Sequence, residues 1–159
     1  MAKPLVVIMM GSKSDLDHCQ KIADACKGYG IETVLRIGSA HKTPEHLLAA
    51  VREYETDIRP KVYITVAGRS NALSGFIDGA VSAPVIACPP VSDMFGGADI
   101  FSSVRMPSGI APALVLEPAN AALMAAKILG LVDPEVCMAV KKSQMQAAEK
   151  INQDDQALQ

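Results

Sequence analysis

The chain has 159 residues and a formal net charge of −2, with 50% of its residues hydrophobic and 20% charged. One domain of this size buries roughly 68–70% of its unfolded surface, and the remaining charge is sparse for the outside of a monomer, so other subunits are expected to cover part of it. No Lys/Arg stripe is present to displace counterions from a duplex and no stretch nears the ~20 apolar residues of a membrane span, so neither nucleic acid nor a membrane is an expected partner.

Leu5–Met10 is an unbroken apolar run of strand length that stops at Gly11. Leu16, Cys19, Ile22, Ala23 and Cys26 then recur at helical spacing, with Gly28 and Gly30 closing the segment. Ile31–Ile37 reads as a second strand, and Pro44–Tyr54 as a helix with Leu47, Leu48 and Val51 turned inward. Lys61–Val66 is the third strand and Asn71–Val81 a glycine-containing helix. Val85–Cys88 is a short fourth strand stopped by Pro89 and Pro90, and Ala98–Val104 is predicted helical. Ala113–Leu116 is the fifth strand. Pro118–Leu129 is a helix with proline in its first turn and Gly130 at its exit. Glu135–Ile151 is the last helix, trailing into a polar tail, NQDDQALQ.

Strands that are apolar throughout, alternating with amphipathic helices, predict a parallel sheet covered on both faces. With right-handed crossovers this is a single-domain, three-layer αβα sandwich, doubly wound in the flavodoxin-like or Rossmann-like manner. Ligands in such folds bind beyond the carboxyl ends of the strands, near the reversal in strand order. The opening MAKPLVVIMMGSKSD has an apolar run only from Pro4 to Met10 and no small-residue cleavage site. Cys19, Cys26, Cys88 and Cys137 lie in apolar surroundings without CxxC spacing. Reduced core thiols are expected, and with them a cytoplasmic location.

Three loops at strand ends hold the candidate chemistry. After the first strand stands Gly11-Ser12-Lys13-Ser14-Asp15. Its glycine admits a close ligand, and its hydroxyls and free N–H groups at a helix start suit an anion. GxxxxGK[ST] and GxGxxG are both absent, so it is neither a P-loop nor a dinucleotide turn. Asp15 can accept from ribose hydroxyls, or Ser14 or Asp15 can simply cap the helix. After the second strand stands Gly38-Ser39-Ala40-His41-Lys42-Thr43-Pro44. Among the three histidines, His18 and His46 fall on helices among polar neighbours and are expected at the surface. His41 alone occupies a strand-end loop, where an imidazole with a reference pKa of roughly 6.5 suits proton transfer. It can equally be an ordinary loop histidine. Lys42 offers a point charge for a phosphate or carboxylate.

After the third strand, Ala67-Gly68-Arg69-Ser70-Asn71-Ala72-Leu73-Ser74-Gly75 has small residues that let a flat base and a small molecule approach the backbone. Ser70 and Asn71 offer hydrogen bonds or a plain helix cap, and Arg69 an anion contact or a brace. Gly11 and Ala67 stand where a receiver-type domain carries acidic residues. Cys88, on an apolar strand without a base, reads as packing and not as a nucleophile. Met94-Phe95-Gly96-Gly97 reads as a flexible turn able to cover a site, or as an ordinary connection.

Together these loops resemble the PurE family of aminoimidazole ribonucleotide (AIR) carboxylases and mutases. The likeness runs from about Val6 to Ile128 and rests on GSKSD at 11–15, GSAHKTPEH at 38–46 and VRMPSGIAPALVLEPANAALMAAKIL at 104–129. The mutase branch carries a histidine in a GGAAHLPG-like third loop and an arginine after the loop-two histidine. This chain has AGRSNALSG and Lys42, and with ACPPVSDMFGGADIFSS at 87–103 it resembles class II, the direct carboxylase also found fused in animal purine enzymes. The resemblance implies a PurE-like domain over 1–159, with a catalytic core over about 5–130 and a helix and tail over 134–159. It implies that His41 is the acid/base residue, and that Gly11, Ser12, Asp15, Ser39, Ala40, Lys42, Gly68, Ser70 and Asn71 bind substrate. Asp15 would hold the ribose, Lys42 the phosphate, and Gly68 with Ser70 the CO2. It further implies an octamer with shared sites, and no metal and no cofactor.

The expected reaction is reversible carboxylation of AIR at C4 by CO2 to give 4-carboxy-5-aminoimidazole ribonucleotide (CAIR), in purine biosynthesis. The 5-amino group makes C4 nucleophilic and CO2 is already electrophilic, so neither ATP nor biotin is called for. A base must then take the C4 proton, a contribution of roughly 10²–10⁴-fold. The alternatives are a mutase acting on the N5-carboxylated ribonucleotide and a non-catalytic ribonucleotide-binding module, which would have no use for the proton carrier.

Overall fold

The computed structural model describes residues 3–159; Met1 and Ala2, at the head of the expected domain, lie outside the described residues. In chain order the elements are β1 (Leu5–Met10), α1 (Leu16–Gly28), β2 (Glu32–Ile37), α2 (Pro44–Glu55), β3 (Lys61–Val66), α3 (Leu73–Asp78), β4 (Val85–Ala87), α4 (Phe101–Val104), β5 (Ala113–Leu114), α5 (Pro118–Leu129) and α6 (Pro134–Gln156). The strands form one parallel sheet in the order β2-β1-β3-β4-β5. This is the doubly wound, flavodoxin-like αβα sandwich that the uniformly apolar strands predict.

β1 explains why its sequence does not alternate. Val6, Ile8 and Met10 join α1, α5 and α6 through Cys19, Ile22, Ala121, Ala125 and Val136. Leu5, Val7 and Met9 join α2 and α3 through Leu47, Val51, Leu73 and Ile77. Both faces of the strand are therefore core. Trimming one of its large side chains to alanine would cost about 2–5 kcal/mol.

Gly130 ends α5 in a right-handed conformation, so it is not there to turn the chain backwards. A Cβ at that position would lie 3.0 Å from the Ala126 carbonyl oxygen and 3.2 Å from the Cys137 backbone. The glycine lets α6 lie against the end of α5. Asp133 then starts α6, its side chain accepting from the backbone N–H groups of Glu135 and Val136.

Several boundaries differ from expectation. α3 spans Leu73–Asp78, inside the predicted 71–81, because Asn71 is drawn into side-chain bonds and Gly79 closes the helix. The helix expected over 98–104 is a 3₁₀ segment, Met94–Ile100, leading into the short α4. Phe95, Gly96 and Gly97 there all have positive φ, which prevents a regular helix. α6 runs to Gln156, so most of the expected polar tail is helical. Ala50, not Leu48, completes the buried face of α2.

Candidate active site

Register places the site. Met10 of β1 pairs with Ile37 of β2 on one side and with Val66 of β3 on the other. The three strands therefore end at one height, and Gly11, Gly38 and Ala67 leave the sheet side by side. The strand order reverses between β1 and β3, where a doubly wound sheet opens its crevice. A cavity of about 270 Å3 lies there, and all thirteen residues lining it come from these three loops and the helix starts that follow.

The first loop folds on itself. Its Ser12 hydroxyl lies 2.6 Å from that of Ser14 and donates to Asp15 Oδ2 at 3.3 Å. Asp15 stands at the start of α1 without making a side-chain capping bond, which removes the simple capping reading. Its carboxylate is left to the cavity, beside N–H groups at the helix start.

The second loop is a closed turn. Ser39 N–H donates to Thr43 Oγ1 at 3.0 Å, Lys42 N–H to Ser39 Oγ at 3.2 Å, and Thr43 N–H to the Ser39 carbonyl at 2.9 Å. With the N–H groups of Ser39, Lys42 and Thr43 bonded within it, the turn presents Ala40, His41 and Lys42 outward, and the His41 and Lys42 side chains are exposed. Gly38 anchors the turn because a Cβ there would come within 2.8 Å of Leu47 Cδ1.

The third loop is held from outside. Arg69 has a φ of 59°, a left-handed conformation that costs a non-glycine residue of order 1 kcal/mol or more. Ser102 of α4 supports it: its Oγ accepts from Asn71 N–H at 2.9 Å and lies 3.1 Å from the Arg69 carbonyl. Asn71 Nδ2 donates to Ser103 Oγ at 2.8 Å, and Asn71 Oδ1 accepts from Ser74 N–H at 3.2 Å.

The cavity thus brings together Gly11, Ser12, Asp15, Ser39, Ala40, His41, Lys42, Gly68 and Ser70. Asn71 is not in its lining; it is buried, and it shapes the loop through Ser74 and Ser103. Ser14, Ala67, Arg69 and Leu73 also line it. In sequence Ser14 reads as a possible helix cap and Arg69 as an anion contact or a brace, whereas Ser102 and Ser103 carry no local signal at all. A second cavity of about 240 Å3 adjoins the first through Ala67, Gly68 and Arg69 and is walled mainly by apolar groups of Pro89, Pro90, Ile100 and Leu116.

The remaining titratable groups sort themselves by burial. His46 is exposed on α2, but His18 is half-buried, contrary to the expectation of a surface residue. Its Nε2 lies 3.4 Å from Cys88 Sγ, and burial lowers its pKa. Burial likewise pushes the Cys88 thiol up to about 12, as packing and not nucleophilic chemistry requires. No cluster of His, Cys, Asp or Glu suited to a metal occurs among the described residues.

The family model for AIR carboxylase matches residues 5–150. The chain belongs to the AIR carboxylase family. A phosphoribosylaminoimidazole carboxylase of Treponema denticola is 60% identical over 98% of this chain and 98% of its own length. The Archaeoglobus fulgidus protein of the same name is 57% identical over 96% of this chain and 83% of its own. The crystal structure of Treponema denticola PurE superposes with a TM-score of 0.97 at 60% identity, covering 99% of both chains. The span matched by the family model takes in all three loops.

Proposed function

We propose that this chain is a single catalytic domain that carboxylates AIR at C4 with CO2, reversibly and without ATP or biotin, giving CAIR in purine biosynthesis. The observation that carries the reading is the convergence of three level strand ends on one cavity that holds a single imidazole, His41. Family membership supports the substrate class.

The chemistry follows from the side chains. Ser12, Lys42 and the N–H groups at the start of α1 take the 5′-phosphate, and Asp15 accepts from the ribose hydroxyls. The ring then lies toward the small residues of the third loop. Electron density from the 5-amino group drives C4 onto the carbon of CO2, forming the C–C bond and placing the charge on the new carboxylate. C4 is now tetrahedral and still carries its proton. His41 removes that proton, the C–H electrons return to the ring, and aromaticity is restored. In reverse, the imidazolium protonates C4 and CO2 leaves.

Gly68 and Ser70 are assigned to CO2. Gly68 lies at the junction of the two cavities, and the apolar room beyond it is a suitable water-poor place for a gas that water would hydrate. The third loop has no imidazole, which favours direct carboxylation over recapture of CO2 released from an N5-carboxylated ribonucleotide. Mixing AIR and dissolved CO2 with the protein should change the ultraviolet absorbance rapidly, and bicarbonate should act more slowly until the two equilibrate. No change with either carbon source would remove the carboxylase reading.

Assembly belongs to the same proposal. Val91, Met94, Phe95, Phe101 and Val104 are exposed near the site, and Met138, Met145 and Ile151 along α6. Burying such surface between copies supports a homo-oligomer, for which the family resemblance favours eight subunits. Light scattering should give a mass several times 16.8 kDa; a monomer at micromolar concentration would contradict it.

A further inference from the structure

His18 and Cys88 join two parts of the site that the sequence places 70 residues apart. His18 lies one helical turn beyond Asp15, on the same face of α1, so it moves with the first loop. Cys88 follows β4 and is fully buried; its backbone N–H donates to the Thr65 carbonyl at 2.8 Å, next to the end of β3. Its thiol donates to the Leu116 carbonyl at 3.5 Å, beyond β5. A thiol has one proton, and with it directed at Leu116 the sulfur is left as an acceptor 3.4 Å from His18 Nε2. After Cys88 come Pro89 and Pro90, and the Pro90 ring stands where a Cβ on Gly68 would meet it at 3.5 Å.

We infer that His18 is a positioning residue for the ribonucleotide, and that the His18–Cys88 contact sets the distance across the cavity between the first loop and Gly68 of the third. The contact touches no reacting atom. It fixes the start of α1, and with it Ser12 and Asp15, against a segment whose prolines back the third loop. The charged groups around the imidazole are Lys21, Asp15 and Glu117, and none of them supplies the hydrogen bond to sulfur.

This inference rests on the proposed ribonucleotide site, and affinity tests it separately from turnover. His18→Phe keeps the ring's bulk and removes the N–H; it should weaken calorimetric binding of AIR about tenfold, with turnover at saturation within threefold of the parent. His18→Gln, which returns an N–H near the same point, should recover most of that affinity. Cys88→Ala should weaken binding similarly, and the His18→Phe/Cys88→Ala double variant should bind no worse than His18→Phe, the signature of one shared contact. Affinity within twofold of the parent in both single variants would overturn the inference, as would additive losses in the double. A parent that binds AIR without carboxylating it would count against the carboxylase and leave the contact standing; a parent that does not bind AIR overturns both.

Discussion

The first two site loops and the third are held in different ways. The loops after β1 and β2 close on their own residues: Ser12 on Ser14 and Asp15, Ser39 on Lys42 and Thr43. The loop after β3 carries Arg69 in a left-handed conformation and takes its support from Ser102 and Ser103, more than thirty residues away. The self-closed loops carry the groups proposed for phosphate capture and proton transfer, where fixed positions matter throughout the cycle. The braced loop carries the small residues assigned to CO2. Its shape depends on α4 and the 3₁₀ segment before it, so a change in those elements is expected to act first on the side proposed for CO2.

The largest expected effect breaks the self-closed side at its reacting group. His41→Asn should fold, bind ribonucleotide as the parent does, and lose at least about a hundredfold in turnover, the low end for a lost acid/base. A purified variant within threefold of the parent would end the assignment. A smaller effect is expected from the neighbouring cation. Lys42→Ala should weaken binding of the nucleotide roughly tenfold and that of its dephosphorylated nucleoside hardly at all, with added salt weakening the parent's binding too. Calorimetry that found equal parent affinity for nucleotide and nucleoside would remove phosphate capture from this loop.

The smallest effect sharpens the comparison. Ser102→Ala removes the brace from the third loop while leaving the other two untouched. It should raise the CO2 concentration needed for half-maximal rate several-fold, while AIR affinity stays within threefold. Equal loss on both sides would show that the loops are not separately supported.

The same contrast explains what could be read from the sequence. β1, β3 and α5 were legible to the residue, because strands buried on both faces are mostly apolar and β-branched and Pro118 and Gly130 punctuate α5. The first two loops were legible as sites because their bonding partners sit within a few positions of one another. The bond from Asn71 to Ser103 was not legible, because that partner is distant in sequence. His18 looked like a surface residue for the same reason: polar neighbours along α1 say nothing about the sulfur of Cys88 just past β4. The end of α6 read as a tail because its composition is polar all round, and helix hydrogen bonds need no apolar stripe once Asp133 has started the helix.

Carbon is proposed to enter from dissolved CO2 at the cavity where the three loops meet. The most direct measurement supplies AIR and isotopically labelled CO2 to the assembled protein and follows label into the C4 carboxylate of the product. Rapid incorporation is expected, fastest when CO2 is added fresh, and is lost in Ser70→Val with AIR binding largely retained. Efficient turnover of the N5-carboxylated ribonucleotide, with no label taken up from solution, would contradict it and make this chain a mutase.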